Sequence, residues 1–346
     1  MYLHAIMLFA VLSVDSDYPQ LLQQARVEYN SGRFSQSEKL YLDALRTLDR
    51  NDEANRALAL SELGDVYANE DEAFKSERAY AESLEIYKRL SDKRNTALLL
   101  RNLGTTYAFE GRNEEAMRLL KQSLKLAESI PNNDMLVTQI FNSLGIVYFW
   151  QRKNDKAEDF FSRALLLSST SGIAFDLSEL LNNLGAAYVV QHKFEEAERV
   201  LNRALAIREA EVGASHPDLI STLDGLGLLY TNTGKYKDAE AQYFRALKII
   251  ESVRQDFDVK TVRVLHSLSY TYTRAGQKAD ADATLASAAT IARRSLGKHP
   301  EMVTVLEDYS TILKKQGKAK EAEELRVEAK RARVASSLVI NAHSLQ

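Results

Sequence analysis

One tetrad, Leu-Gly-x-x-Tyr, returns along this chain at a nearly constant interval, and that interval constrains the fold more than any other feature. It stands at Leu63-Gly64…Tyr67, Leu103-Gly104…Tyr107, Leu144-Gly145…Tyr148, Leu184-Gly185…Tyr188 and Leu226-Gly227…Tyr230. A weaker copy follows at Leu268-Ser269…Tyr272 and a decayed one at Tyr309-Ser310…Leu313. The small-residue positions (64, 104, 145, 185, 227, 269 and 310) are separated by 40, 41, 40, 42, 42 and 41 residues. Chance does not hold that phase.

Other columns keep step with the tetrad. Seven residues after each small residue comes a turn position, held by Gly111, Gly234, Gly276 and Gly317, and by Asp71, Arg152 and His192 in the other copies. Glycine suits it because a helix commonly ends in a left-handed residue. Next come small residues: Ser76, Ala116, Ala157, Ala197, Ala239, Ala281 and Ala322, then Ser83, Ser123, Ala164, Ala204, Ala246, Ala288 and Ala329. At helical spacing these let two helices approach closely, while Leu and Tyr fill the space between layers. Ala25, Gly32, Ser37, Tyr41 and Ala44 supply a degenerate first copy. Pro131, Pro217 and Pro300 fall between copies, where proline opens a helix without removing an internal hydrogen bond.

The pattern Leu-Gly-x-x-Tyr…Gly…Ala…Tyr/Phe…Ala resembles the tetratricopeptide repeat family over roughly residues 18–335. The resemblance implies an all-α fold, a right-handed α-solenoid of about eight antiparallel helix-turn-helix units. Their expected bounds are about 18–50, 53–91, 93–130, 133–171, 174–213, 216–255, 258–297 and 299–335, followed by a tail at 336–346. Copies of 40 to 42 residues exceed the family's usual repeat length of about 34 and imply longer helices. The stretch from His216-Pro217-Asp218 through Leu-Gly-Leu-Leu-Tyr to Arg-Ala-Leu-Lys-Ile is similar to a kinesin light chain repeat. No second domain or long linker is expected.

Chemistry is scarce. There is no Gly-rich phosphate loop, no H-E-x-x-H and no G-x-S-x-G, so the chain is not expected to be an enzyme or to carry a cofactor. With no cysteine there is no thiolate nucleophile, disulfide or Cys-ligated zinc. A net charge of −3 argues against a broad basic surface for nucleic acid. His216 and His299 each precede proline, two repeat lengths apart, and read as inter-repeat turns; His192 occupies the turn column. Carboxylate pairs such as Glu114-Glu115 and Glu195-Glu196 begin second helices, where acids complement the helix dipole. The phase of the Tyr column with the packing leucines makes it inter-helix core.

Residues 1–17 are either a signal peptide or an apolar N-terminal helix. Ala5–Val14 is an apolar run of signal-peptide length, too short to span a bilayer, but no Lys or Arg precedes it and no A-x-A follows. Localisation therefore stays open between cytoplasmic and exported, and no stable membrane span is expected.

If the Leu and Tyr columns face the core, the residues one and two before Leu, and the one after Gly, lie on the opposite stripe of the first helix. Those columns hold Arg101-Asn102 with Thr105, Asn142-Ser143 with Ile146, Asn182-Asn183 with Ala186, Asp224 with Leu228, and His266-Ser267 with Tyr270. An asparagine amide both donates to and accepts from an extended peptide backbone. In kinesin light chains and similar arrays, asparagines at matching positions hold peptides; that resemblance implies Asn102, Asn142, Asn182 and Asn183 as ligand contacts. Arg101 shares the column. Trp150, the chain's single tryptophan, reads either as an anchor for a partner or as packing against the next repeat. The Lys/Asn clamp by which some arrays grip chaperone tails is not matched: its columns hold Ser61 with Asp65, Arg101 with Thr105, and Asn142 with Ile146. The expected function is a non-catalytic scaffold holding an extended protein or peptide segment in the groove. A peptide-responsive regulatory receptor and a docking subunit for a separate enzyme are the alternatives.

Overall fold

The computed structural model describes residues 18–343 apart from 50, 70–71, 172–175, 253–257 and 296–299. The N-terminal apolar run, Asp71 and His299 lie outside the described residues. Sixteen α-helices follow one another, with no strand among the described residues. They fall into two compact units, Met1–Ile130 and Pro131–Gln346, whose boundary is one of the prolines between repeats.

The first unit holds α1 (Tyr18–Asn30), α2 (Phe34–Thr47), α3 (Glu53–Asn69), α4 (Ala73–Arg89), α5 (Lys93–Phe109) and α6 (Asn113–Glu128). The second holds α7 (Asp134–Trp150), α8 (Asn154–Ser171), α9 (Leu177–Val190), α10 (Phe194–Val212) and a 3₁₀ turn at Pro217–Leu219. It continues with α11 (Ile220–Asn232), α12 (Tyr236–Ser252), α13 (Asp258–Arg274), α14 (Lys278–Ser295), α15 (Pro300–Lys315) and α16 (Ala319–His343). Each odd-numbered helix pairs with the even-numbered helix after it, giving the hairpin solenoid that the phase implied. The last helix runs to His343, so most of the expected tail is helical. No helix among the described residues is long and apolar enough to cross a membrane.

The recurrent columns have distinct physical jobs. In the turn column Gly111, Gly234, Gly276 and Gly317 take φ between 76° and 81°, and Arg152 and His192 take φ of 58° and 59°. The left-handed turn is therefore kept even where a side chain makes it strained. The tetrad glycine instead marks the crossing within each hairpin. A Cβ on Gly64 would lie 2.5 Å from the Tyr80 ring, and one on Gly145 would lie 2.5 Å from Phe161. At the same crossings Ser76 donates to the Gly64 carbonyl (3.0 Å) and Ser37 to that of Ala25 (2.8 Å). Serine in a small-residue column thus adds a hydrogen bond between helices without adding bulk.

Leucines and aromatics close the layers. Leu60, Tyr80, Leu84, Leu99 and Leu103 form one core in the first unit. Phe161, Leu181, Leu184 and Val200 form another in the second, each core spanning consecutive hairpins. Burial of each such side chain contributes about 1.5–3 kcal/mol, so neighbouring repeats stabilise one another. Tyr67 and Tyr272 of the Tyr column are buried in the core, while Tyr107, Tyr148, Tyr188 and Tyr230 are half-buried at its edge. The Tyr107 and Tyr272 hydroxyls donate to Glu77 (2.6 Å) and Glu240 (2.8 Å) of the preceding hairpin.

Candidate functional site

In the second unit the odd-numbered helices touch one another: α7 with α9, α9 with α11, α11 with α13, and α13 with α15. No even–even pair among the described residues makes comparable contact, so the odd helices line the inner side of that unit. The columns before Leu and after Gly lie on this face, and their polar side chains pair from one repeat to the next.

In the first unit, Arg26 on α1 pairs with Glu62 on α3 at 2.6 Å. Asp65 on α3 accepts from Asn102 Nδ2 on α5 at 3.2 Å and from the Tyr80 hydroxyl at 2.6 Å. Arg101 donates to Asn102 Oδ1 through Nη2 (2.6 Å) and Nε (3.1 Å), so both ends of that amide are engaged. Burial pushes the Asp65 carboxyl up to about 6, against the Tyr80 hydrogen bond and the Arg101 charge, which pull it down. Burial and the Asp65 charge raise the Tyr80 phenol in turn.

In the second unit, Asn142 on α7 donates to Glu179 Oε1 on α9 (2.8 Å) and accepts from Asn183 Nδ2 (2.9 Å). Further on, His266 on α13 meets Asp308 on α15 at 2.9 Å. Both of these rungs join the residue two before Leu in one repeat to the residue one before Leu in the next. Asn182 breaks the pattern. Its facing position in the next repeat is Gly225, which has no side chain, and Asn182 Oδ1 is buried with no hydrogen-bond partner.

The residues expected to contact a ligand therefore divide. Asn102 and Asn142 are buried, at 9% and 5% exposure, and their amides join repeats. Arg101 and Asn183 are half-buried members of the same contacts. Of the four asparagines, Asn182 is the one whose side-chain oxygen is buried without a hydrogen-bond partner among the described residues. Trp150 closes α7 and is 42% exposed, as Phe109 (52%) closes α5. Phe149, beside Trp150, packs instead against the core that includes Leu184.

A second ladder, at the turn ends, went unread in the sequence. Arg112 lies 3.6 Å from the Tyr107 ring centroid and contacts Glu77, Glu110 and Glu115. Lys193 lies over Tyr188 and pairs with Glu158 at 2.6 Å; Lys235 lies over Tyr230 and pairs with Glu198 at 3.4 Å. The signal was present: a basic residue eight positions after the tetrad glycine, and a glutamate just after the first small residue of the repeat before. His216 proves to be a turn residue, its Nδ1 accepting from the Asp218 backbone at 3.3 Å.

Among the described residues no cluster of His, Asp and Glu has the makings of a metal site. A shallow cleft of about 470 Å³ lies between α3 and α4, but its charges are matched in pairs, Arg56–Glu82 and Arg89–Glu53, each at 2.7 Å.

The family model described as Tetratricopeptide repeat matches residues 55–129 and 176–252, and a second model of that description matches 261–301. Among solved structures, BtubC (BKLC) from P. vanneervenii is 24% identical with a TM-score of 0.55, covering 66% of this chain and 94% of that one. A Rap protein complexed with Competence and Sporulation Factor is 14% identical, with a TM-score of 0.65 and coverage of 80% and 75%. The apo form of RapI is 14% identical, with a TM-score of 0.63 and coverage of 80% and 97%. These likenesses are of fold. No curated protein matches the sequence.

Proposed function

Because the chain belongs to the tetratricopeptide repeat family, a family of interaction scaffolds, we propose that it holds an extended segment of a protein partner against its odd-helix face. The observation that carries this reading is the run of polar side chains on that face, in register with the repeats. A peptide backbone offers one donor and one acceptor per residue, and a face that repeats asparagine, carboxylate and histidine in one column can match it at successive steps. Such contacts are tolerant of sequence, which suits a scaffold. Trp150 supplies apolar surface at the end of α7, where an aromatic anchor adds affinity that backbone contacts lack.

The reading is tested with a random dodecapeptide display library selected on the full chain. Affinities of the winning synthetic peptides are then measured by fluorescence anisotropy for the wild type and for Asn142→Ala/Asn182→Ala/Asn183→Ala. A loss of tenfold or more in the triple variant, with its helical circular dichroism intact, supports the odd-helix face. Equal affinity places the peptides elsewhere and refutes the reading.

A further inference from the structure

The turn-end ladder stops at the last hairpin. In earlier repeats the turn cation is held twice: Lys193 lies over Tyr188 and pairs with Glu158, and Lys235 lies over Tyr230 and pairs with Glu198. Lys318 has the same place in the turn between α15 and α16. Its backbone N–H donates to the Leu313 carbonyl at 2.9 Å, as those of Lys193 and Lys235 donate to Tyr188 and Tyr230 at 2.9 Å. Its side chain has neither ladder partner. Leu313, a core residue, stands where the tyrosine would be. The acid position holds Asp282, shorter than glutamate, and Gln316 Nε2 donates to it at 2.9 Å.

Lys314, Lys315 and Lys320 lie within four residues of this released cation, and residues 314–320 contain no acid. All four lysines are exposed, and none makes an ion pair among the described residues. The fold gains little from Lys320, which stands in the first turn of α16 where positive charge opposes the helix dipole. A terminal repeat needs polar surface, but not surface of a single sign, and lysines this close repel one another.

We propose that the turn between α15 and α16 is a second docking surface, and that it takes a short acidic segment of a protein partner. The surface lies at the turn end of the last hairpin and does not draw on the columns of Asn142, Asn182 and Asn183. The occupant is short because the cations are bounded: Asp280, Glu321 and Glu324 are exposed at the starts of α14 and α16. A membrane surface or nucleic-acid backbone broad enough to cover the turn would bring its own negative charge against these acids. Residues 314–320 also hold no arginine and no aromatic side chain, the groups that grip phosphates bidentately and stack on bases. Carboxylates on alternate residues of an extended segment lie about 6–7 Å apart, a spacing that flexible lysines around one turn can follow.

The probe is a rhodamine-labelled dodecapeptide of alternating glutamate and serine, titrated with the full chain and followed by fluorescence anisotropy. Expected is binding that weakens as salt rises. Lys315→Gln/Lys318→Gln/Lys320→Gln should lose about tenfold or more, with helical circular dichroism intact. Lys121→Gln/Lys125→Gln/Lys248→Gln removes as many exposed charges elsewhere and should change affinity by less than about threefold. Asn142→Ala/Asn182→Ala/Asn183→Ala should bind the acidic probe as the wild type does, which keeps this surface distinct from the odd-helix face. No binding by the wild type overturns the proposal, and so does an equal loss in the two lysine variants. Tighter binding of a labelled thymidine dodecamer, or of phosphatidylserine vesicles, than of the peptide overturns the choice of an acidic protein segment.

Discussion

Replacing Gly145 by alanine tests whether the tetrad glycine is a packing residue. In α7 it faces Phe161 of α8, and a Cβ there would lie 2.5 Å from Cε1 and 2.6 Å from Cδ1 of the ring. Carbon atoms prefer about 3.5–4.0 Å, so the shortfall is about 1 Å or more. The ring has no slack to absorb it, being 2% exposed and packed with Ala157, Leu181, Leu184 and Ala204. Overpacking of this kind costs about 1–3 kcal/mol. The better helix propensity of alanine returns about 0.5–1 kcal/mol. The net is a destabilisation of about 1–2 kcal/mol, a fall of about 2–8 °C in the melting temperature of a unit this size. The matched control is Gly225→Ala in the same unit, where the nearest atoms lie at 3.3 and 3.6 Å, so the overlap is only a few tenths of an ångström and the loss should be smaller than in Gly145→Ala. Thermal melts followed by far-ultraviolet circular dichroism decide it. Gly145→Ala melting at or above the wild type, or Gly225→Ala falling as far as Gly145→Ala, would refute the packing argument.

Three further outcomes follow from the same geometry. The Asp65 carboxyl titrates at about 6 in the folded chain against 3.8 ordinarily, so between those values the folded state holds a proton that the unfolded state has released. Its contribution to stability therefore declines as pH rises from about 4 to about 6, and the melting-temperature difference Asp65→Asn minus wild type should grow across that window; a pH-invariant difference rules this out. Arg112→Met removes the cation that Glu77, Glu110 and Glu115 share and that lies over Tyr107, and should cost about 1–3 kcal/mol in urea unfolding of the first unit. Asn142→Ala leaves Glu179 and Asn183 without their shared partner and should cost about 1–2 kcal/mol, read as a drop in the melting temperature of the second unit.

The fold was legible because its signal is repeated. Each helix pair obeys the same volume rules, so a glycine column and a leucine column recur with the period of the hairpin. The left-handed turn was legible even at Arg152 and His192, where no glycine announces it, because phase alone placed them. The polar odd-helix face was legible only by column. That Asn142, Asn182 and Asn183 share a stripe follows from helical geometry; which of them pair does not, because pairing depends on the stagger between adjacent odd helices. The 41-residue separation of Asn142 and Asn183 equals a repeat length and became meaningful only once the helices were in place. Trp150 illustrates the same limit, since its exposure depends on where α7 stops.

The stagger also orders the asparagines energetically. A ligand that engages Asn142 or Asn183 must first displace their mutual bond or the bond to Glu179, exchanging one hydrogen bond for another with little net gain. At Asn182 the side-chain oxygen is buried without a partner among the described residues, a cost of about 1–3 kcal/mol that the paired amides avoid. The paired amides therefore act first as bonds between consecutive repeats, and on the proposed reading a ligand gains most where it supplies a missing partner rather than exchanging an existing one.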